Sequence, residues 1–309
     1  MTLQQLEYIL ALDNTRHFVK AAELCGVTQP TLSAMIQKLE DELDCVIFDR
    51  TQHPIAPTVL GKRIIEQARV ILFHGNQLKE MISMQKTGIG GKLHIGVIPT
   101  IAPYLLPKFI ETMRIEYPKI SLKISEMRTD FIIEKLKMAE IDMAILATPL
   151  LNPNLFEIPL YYEGFVGYVA PSDPLYECSS LTAQQLSSDR MWVLEEGHCL
   201  RNQVFNFCNQ DPHSHDSVYE AGSIDTLVKI VDLIGGYTVI PELHIDLLTE
   251  QQRKNLRALV NPEATREISI IIRTDFVKEA LLNAVANCIK RIIPEKMLDS
   301  RLKKFAIKL

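Results

Sequence analysis

The chain has 309 residues, 47% of them hydrophobic, and carries a net charge of −5. That length fills two or three cores, and the acidic balance excludes the global basic signature of a general nucleic-acid binder. No basic segment followed by an apolar core opens the chain and no apolar run approaches the roughly 18 residues of a membrane span, so a cytoplasmic protein without membrane contact is expected.

Residues 1–58 are dense in short helical patterns, and "HFVKAAELCGVTQPTLSAMIQKLEDEL" carries a helix-turn-helix pattern. Ala21 and Ala22 are small, as a tight helix crossing requires, and Gly26 suits the turn. Thr28 can cap the second helix, and Pro30 fits its first turn, where a missing N–H costs little. Leu32, Met35, Ile36 and Leu39 form its inward stripe. Gln29, Thr31, Ser33 and Gln37 are left outward with Pro30, as short groups able to reach base edges. An ordinary helical hairpin has the same turn chemistry and stays open. Residues 1–63 hold six Lys/Arg against eight acids, so a few well-placed cations must carry any phosphate contacts. Arg50, Lys62 and Arg63, beside the candidate wing "RTQHPIAPT", are those cations.

Residues 59–87 read as one long helix. Ile64, Ile71 and Leu78 recur every seven residues, and Ala68, Gly75 and Ile82 form a second row four positions on. Two such rows make a seam for another helix; packing on its own domain is the alternative. "GIGG" at 88–91 then breaks the pattern as a hinge. It is no phosphate loop, because Leu93 follows Lys92 where Ser or Thr is needed and the glycines precede a strand.

From Lys92 onward strands and helices alternate: "KLHIGVIPT" strand, "PYLLPKFIETMRIEYP" helix, "KISLKISEM" strand, "DFIIEKLKMAE" helix, "IDMAILAT" strand. The alternation resumes from "FVGYVAP" through "YTVIPEL" and "EISIIIRT" to a C-terminal helix. It predicts an α/β fold with mainly parallel sheets covered by helices. More than 200 residues of it predict two lobes with a cleft between them. The expected parts are residues 1–58, the helix 59–87, the hinge 88–91 and a final domain 92–309. In that domain lobe I covers about 92–162 and 268–309, and lobe II about 163–267.

Six cysteines, at 25, 45, 178, 199, 208 and 288, are sparse and scattered, as in a reducing compartment where a disulfide is transient, catalytic or sensory. Cys199 and Cys208 lie within one predicted helix, "GHCLRNQVFNFCNQ" at 197–210. Nine helical residues rise about 13–14 Å, whereas a disulfide needs its Cα atoms within about 7 Å. Either the pair is accidental or unfolding is its function. A zinc site of Cys199, Cys208, His213 and His215 has no common knuckle spacing. A Cys/His hydrolase lacks a placeable third partner, so neither a metal nor another cofactor is expected. Cys25, Cys45, Cys178 and Cys288 read as passive thiols.

"LEYILALDNTRHFVKAAELCGVTQPTLSAMIQKLEDELDCVIFDR", followed by "PT" and a glycine, resembles the start of a LysR-type transcriptional regulator. The long helix, hinge and two-lobed domain extend the resemblance over almost the whole chain. It implies a winged helix-turn-helix, a linker helix that dimerises, and lobes like those of periplasmic binding proteins. Promoter DNA as ligand, RNA polymerase as partner and a homotetramer built as a dimer of dimers follow as expectations.

"LEEGHCLRNQVFNFC" and "GVIPTIAPYLLP" narrow the likeness to that family's peroxide-sensing branch. It implies that Cys199 is the peroxidatic thiol and Cys208 its resolving partner. Thr100, Thr129, His198 and Arg201 would line the peroxide pocket, and a thiol reductant such as glutaredoxin or thioredoxin would reset the pair. The chemistry agrees: peroxide reacts with thiolate, a helix start favours an anion, and His198 and Arg201 can offer donors or charge. Leu200, Val204 and Phe207 form an apolar stripe with Cys208 at its edge, which closing the pair would pull off the core. Asn202 stands where such sensors often carry Asp. A LysR-type regulator with a metabolite in its cleft and passive cysteines, and a thiol peroxidase, are the competing readings. Peroxide consumed once per switching event would make the protein no enzyme.

Overall fold

The computed structural model describes residues 1–87, 89–150, 152–186, 190–208, 220–260 and 264–299, with the backbone alone at 79–87. His213 and His215 of the zinc reading, Gly88 of the hinge and the Ile82 side chain lie outside the described residues. The chain divides into two compact units, Met1–Gly88 with Lys137–Glu140, and Ile89–Leu136 with Ile141–Leu309.

In the first unit, α1 (Leu3–Thr15), α2 (Phe18–Leu24) and α3 (Gln29–Glu42) enclose one core with Leu12, Ala21, Leu32, Ile36 and Leu39 at its centre. Gly26 makes the α2–α3 turn with φ 65, a backbone that Cβ-bearing residues resist. Thr28 caps α3, its hydroxyl accepting from the Thr31 N–H. Strands β1 (Phe48–Asp49) and β2 (Ala56–Pro57) pair antiparallel into a wing.

Helix α4 runs over Val59–Thr87. Ile65 and Ala68 are buried in the core they share with α1–α3, against which Ile64 and Leu72 also pack. Ile71 and Leu78 face outward, 39% and 62% exposed. Ala68 and Ile64 therefore serve their own domain, one from each row, and Ile71 and Leu78 are left uncovered.

The second unit continues as β3 (Gly91–Val97), α5 (Ala102–Glu116), β4 (Ile120–Glu126), α6 (Thr129–Lys137), β5 (Met143–Thr148), β6 (Leu155–Val169), β7 (Ser180–Leu181), α7 (Cys199–Cys208), α8 (Ile224–Ile234), β8 (Tyr237–Pro241), α9 (Glu250–Arg253), β9 (Leu256–Leu259), β10 (Thr265–Arg273) and α10 (Glu279–Ile292). Its strands form one sheet in the order β4-β3-β5-β10-β6-β9-β7, with β8 also on β6.

The sheet is mixed, where a mainly parallel one was expected. β3 pairs parallel with β4 and β5, and β7 with β9. β6 and β10 run antiparallel to each other and to β5, β8 and β9. β10, returning late in the chain, lies between β5 and β6 and pairs antiparallel with each, so strands that follow one another in sequence are not neighbours in the sheet. β6 and β10 are the central pair of the sheet, joined along the whole length of β10. Beyond them β8, α7 and α8 enclose a separate apolar core containing Phe205, Phe207, Leu227 and Val231.

Candidate redox site and nucleic-acid interface

The turn before α7 is shaped by Gly197, at φ 94. A Cβ there would also stand 3.0 Å from the Arg128 Nε, so glycine is required twice over. Arg128 precedes α6, donates to the Glu196 carbonyl at 3.1 Å and lies 3.7 Å from both Glu195 and Asp130. It clamps the loop that presents Cys199 as the first residue of α7.

Cys199 and Cys208 are buried free thiols at the two ends of an unbroken helix. Cys208 lies in the apolar core, where burial pushes its thiol up to about 12. Cys199 faces elsewhere. Burial raises its thiol too, against the lowering expected from the helix start; Arg266, the Thr129 hydroxyl and the backbone of Ala147 and Leu200 pull the other way. The resting thiol is thus held back by desolvation, with a cation in place to favour the thiolate.

Arg266 is the residue the sequence reading missed. It lies on β10, wholly buried, and its Nε donates to Glu163 at 2.9 Å. Its two terminal nitrogens reach the Thr100 hydroxyl at 2.9 Å and the Thr100 carbonyl at 3.2 Å. Thr100 therefore accepts from Arg266 and keeps its own proton for another acceptor. The signal was present as two opposite charges inside apolar strands, in "YYEGF" and "TREISIII", because buried charges in such runs must be paired.

The predicted pocket residues do not all converge. Thr129 Oγ1, at the first residue of α6, is buried and faces the Cys199 thiol, with no oxygen or nitrogen partner. His198 is 4% exposed with Nε2 3.6 Å from Glu195. Burial lowers its pKa, opposed by Glu195, so it is a neutral donor or acceptor here and not a cation.

Arg201 turns away: it donates to the Leu194 carbonyl at 3.1 Å, pairs with Glu220 and lies over the Phe205 ring. Two helical residues apart is about 200° around the axis, which is why Arg201 and Cys199 face opposite ways. Asn202 is exposed. Gln203, one turn below Cys199 on the same face, is fully buried with neither amide atom partnered. Among the described residues no cluster of three or more His, Cys, Asp or Glu is placed to hold a metal.

In the first unit, α3 exposes Pro30, Thr31 and Gln37, with Gln29 and Ser33 half-buried beside them. Gln37 donates to Asp41 at 2.9 Å. Arg50 pairs with Glu40 at 2.8 Å and stacks over Phe18. Glu40 is buried and also accepts the N–H groups of Ile47 and Phe48, tying α3 to the wing. Lys62 and Arg63 are exposed at the start of α4.

Residues 3–62 match the family described as bacterial regulatory helix-turn-helix protein, lysR family, and residues 86–292 match the LysR substrate binding domain. The chain is 36% identical over 275 residues to a hydrogen peroxide-inducible genes activator of Haemophilus influenzae, covering 88% of this chain and 91% of that one. It is 35% identical, over 88% of this chain and 90% of the other, to the DNA-binding transcriptional dual regulator OxyR of Escherichia coli K12. A full-length OxyR variant from Pseudomonas aeruginosa superposes with a TM-score of 0.78 at 30% identity, covering 94% of this chain and 98% of the other.

Proposed function

The chain belongs to the lysR family of bacterial helix-turn-helix regulators, in its OxyR branch, and from that premise we propose that it senses hydrogen peroxide through a Cys199–Cys208 disulfide and changes transcription of peroxide-defence genes. The observation that carries this reading is the position of the two thiols. Cys199 sits beside the buried Thr129 hydroxyl and a buried guanidinium, and Cys208 lies a full helix away in an apolar core.

The chemistry balances in two steps. The Cys199 thiolate attacks one peroxide oxygen; an S–O bond forms, the O–O bond breaks, and hydroxide leaves to be protonated to water. Thr129 Oγ1 and the free proton of Thr100 are the groups suited to hold the peroxide oxygens. The sulfur, now a sulfenic acid oxidised by two electrons, is attacked by Cys208; an S–S bond forms and water leaves. Peroxide is the oxidant, and a dithiol reductant of the glutaredoxin or thioredoxin class restores both thiols.

The second step requires α7 to open. Its ends are about 13–14 Å apart along the axis, against the 7 Å limit for bonded cysteines. Opening draws Leu200, Val204, Phe205 and Phe207 off the core, each worth about 1.5–3 kcal/mol of burial. A local bond thereby becomes a lobe-scale change that an interface can transmit. The chain acts as a homotetramer on promoter DNA with RNA polymerase as its target, α3 entering the major groove through Gln29, Pro30, Thr31, Ser33 and Gln37, and Arg50 on phosphate. No described helix is long and apolar enough to cross a membrane, in keeping with a cytoplasmic site of action. One event consumes one peroxide, so the protein is a switch and not a turnover enzyme.

Thiol mass spectrometry of the full chain before and after one equivalent of peroxide tests this. Loss of two hydrogens with a Cys199–Cys208 cross-link is expected. Thiols that stay reduced would favour a cleft-bound metabolite instead.

A further inference from the structure

Glu163 is an acid the two-step chemistry does not use. It lies on β6, wholly buried, and every contact it makes is with a donor. Oε2 accepts from Arg266 Nε at 2.9 Å and from the Tyr104 hydroxyl at 2.9 Å, and lies 2.8 Å from the second Arg266 nitrogen; Oε1 accepts the Leu243 N–H at 3.0 Å. Two Arg266 nitrogens, a hydroxyl and a backbone N–H around one carboxyl favour its ionised form. The same guanidinium grips Thr100 through hydroxyl and carbonyl. One buried cation thus serves an acid on one side and Thr100 on the other.

We infer that Glu163 is a positioning residue that sets the peroxide threshold, by holding Arg266 against Thr100 and by withholding part of its charge from Cys199. This rests on the peroxide reading of the same site. A site built for the highest reactivity would leave the cation to the sulfur alone. Here the carboxylate neutralises much of it, which keeps the resting thiol largely protonated and unreactive until peroxide is plentiful.

Burial pushes the Glu163 carboxyl up, opposed by Arg266 and Tyr104. The remaining titratable groups around Arg266 are Tyr104 on α5, Tyr161 on β6, Cys199 on α7 and His244 in the turn after β8. Tyr104 and Tyr161 are held far above neutral by burial, and burial lowers His244 towards its neutral form. His198, next to Cys199, faces Glu195, Arg128 and Asp130 and is lowered by burial. Glu163 is therefore the acid that pairs directly with Arg266 in this cluster.

The test is the pH–rate profile of Cys199 in the full chain carrying Cys208→Ser, followed as dimedone adduct after peroxide and, separately, as iodoacetamide alkylation. Glu163→Gln removes the anion but keeps the shape. Its inflection moves to lower pH, and the rate at pH 7 rises about three- to tenfold, a tenfold change in thiolate being about one pH unit. Tyr104→Phe removes a donor from the carboxylate, leaves more of its charge on Arg266, and moves the inflection up. A rate that falls at every pH with an unmoved inflection would mean that Glu163 only holds Thr100, and overturns the inference. If Glu163→Gln does not fold, Tyr104→Phe decides alone, and an unmoved inflection there overturns it. Alkylation profiles that shift as stated, in a protein whose Cys199 never gives a peroxide adduct, support the role of Glu163 and remove the peroxide reading.

Discussion

Single residues divide the work of the site unequally. Cys199 has a cation and a hydroxyl beside it, while Cys208 has neither and is pushed up to about 12 by burial. Cys199→Ser is therefore expected to leave no dimedone-reactive thiol at low peroxide. Cys208→Ser should form its sulfenic acid nearly as fast as the parent and hold it, drifting to sulfinic acid in excess. Equal labelling rates at the two positions would refute the assignment. Gln203 carries a second expectation. Both its amide atoms are buried unpartnered, so Gln203→Leu should stabilise the reduced form by about 1–2 kcal/mol. It should slow disulfide closure severalfold while leaving sulfenic-acid formation unchanged, as rapid-quench mass spectrometry can separate. His198 and His244 both have pKa values lowered by burial. Below about pH 6.5 the unfolded chain takes up those protons before the folded one, so stability falls with pH. Urea midpoints at pH 7.5 and 5.5 should differ, and less so in His198→Asn. At this scale Cys199 and Thr100 could be singled out from the sequence because they sit in short segments with a known pattern. Arg266 was not, because 66 positions of chain separate it from Cys199 and only the sheet brings them together.

Elements were easier to find than their faces. The seven-residue period on α4 predicts a helix and a seam, and the helix is there, but periodicity cannot say which residues the domain keeps. Ala68 went to the core because α1 lies against it, and Ile71 and Leu78 stayed outside. Leu78→Glu is accordingly expected to lower the association state by sedimentation velocity while leaving the melting of the helix-turn-helix core unchanged. The mixed sheet was illegible for a related reason: buried strands are apolar in either direction, and the pattern does not show that β10 comes back to lie between β5 and β6. On α3 the inward stripe Leu32, Ile36, Leu39 was plain in the sequence and is fully buried. Substitutions at Thr31 should change sequence preference, whereas Arg50→Ala should weaken all sequences alike and flatten the salt dependence.

Over the whole molecule the charge balance matters most. Six cations against eight acids in residues 1–63 are expected to make a single copy a poor DNA ligand, and under the proposed assembly several copies on one promoter supply the affinity. Leu78→Glu, which touches no base, is therefore expected to weaken promoter affinity by tenfold or more in electrophoretic shift assays. Retention of full affinity by a dissociated protein would show that one domain suffices. Composition and charge could not reveal this, because assembly depends on which apolar residues the folded chain leaves uncovered.

Cys208 shares its core with Phe205, Phe207 and Val231, and a bond to Cys199 must keep it out of that company. The oxidised protein is then a wound spring. About 1.4 kcal/mol of forfeited packing corresponds to about 30 mV of added oxidising potential, so returning to the thiols runs downhill. The duration of an alarm is set by how well a handful of apolar side chains fit one another, and enlarging or trimming Val231, each of which spoils that fit, should lengthen it as surely as a smaller supply of reductant.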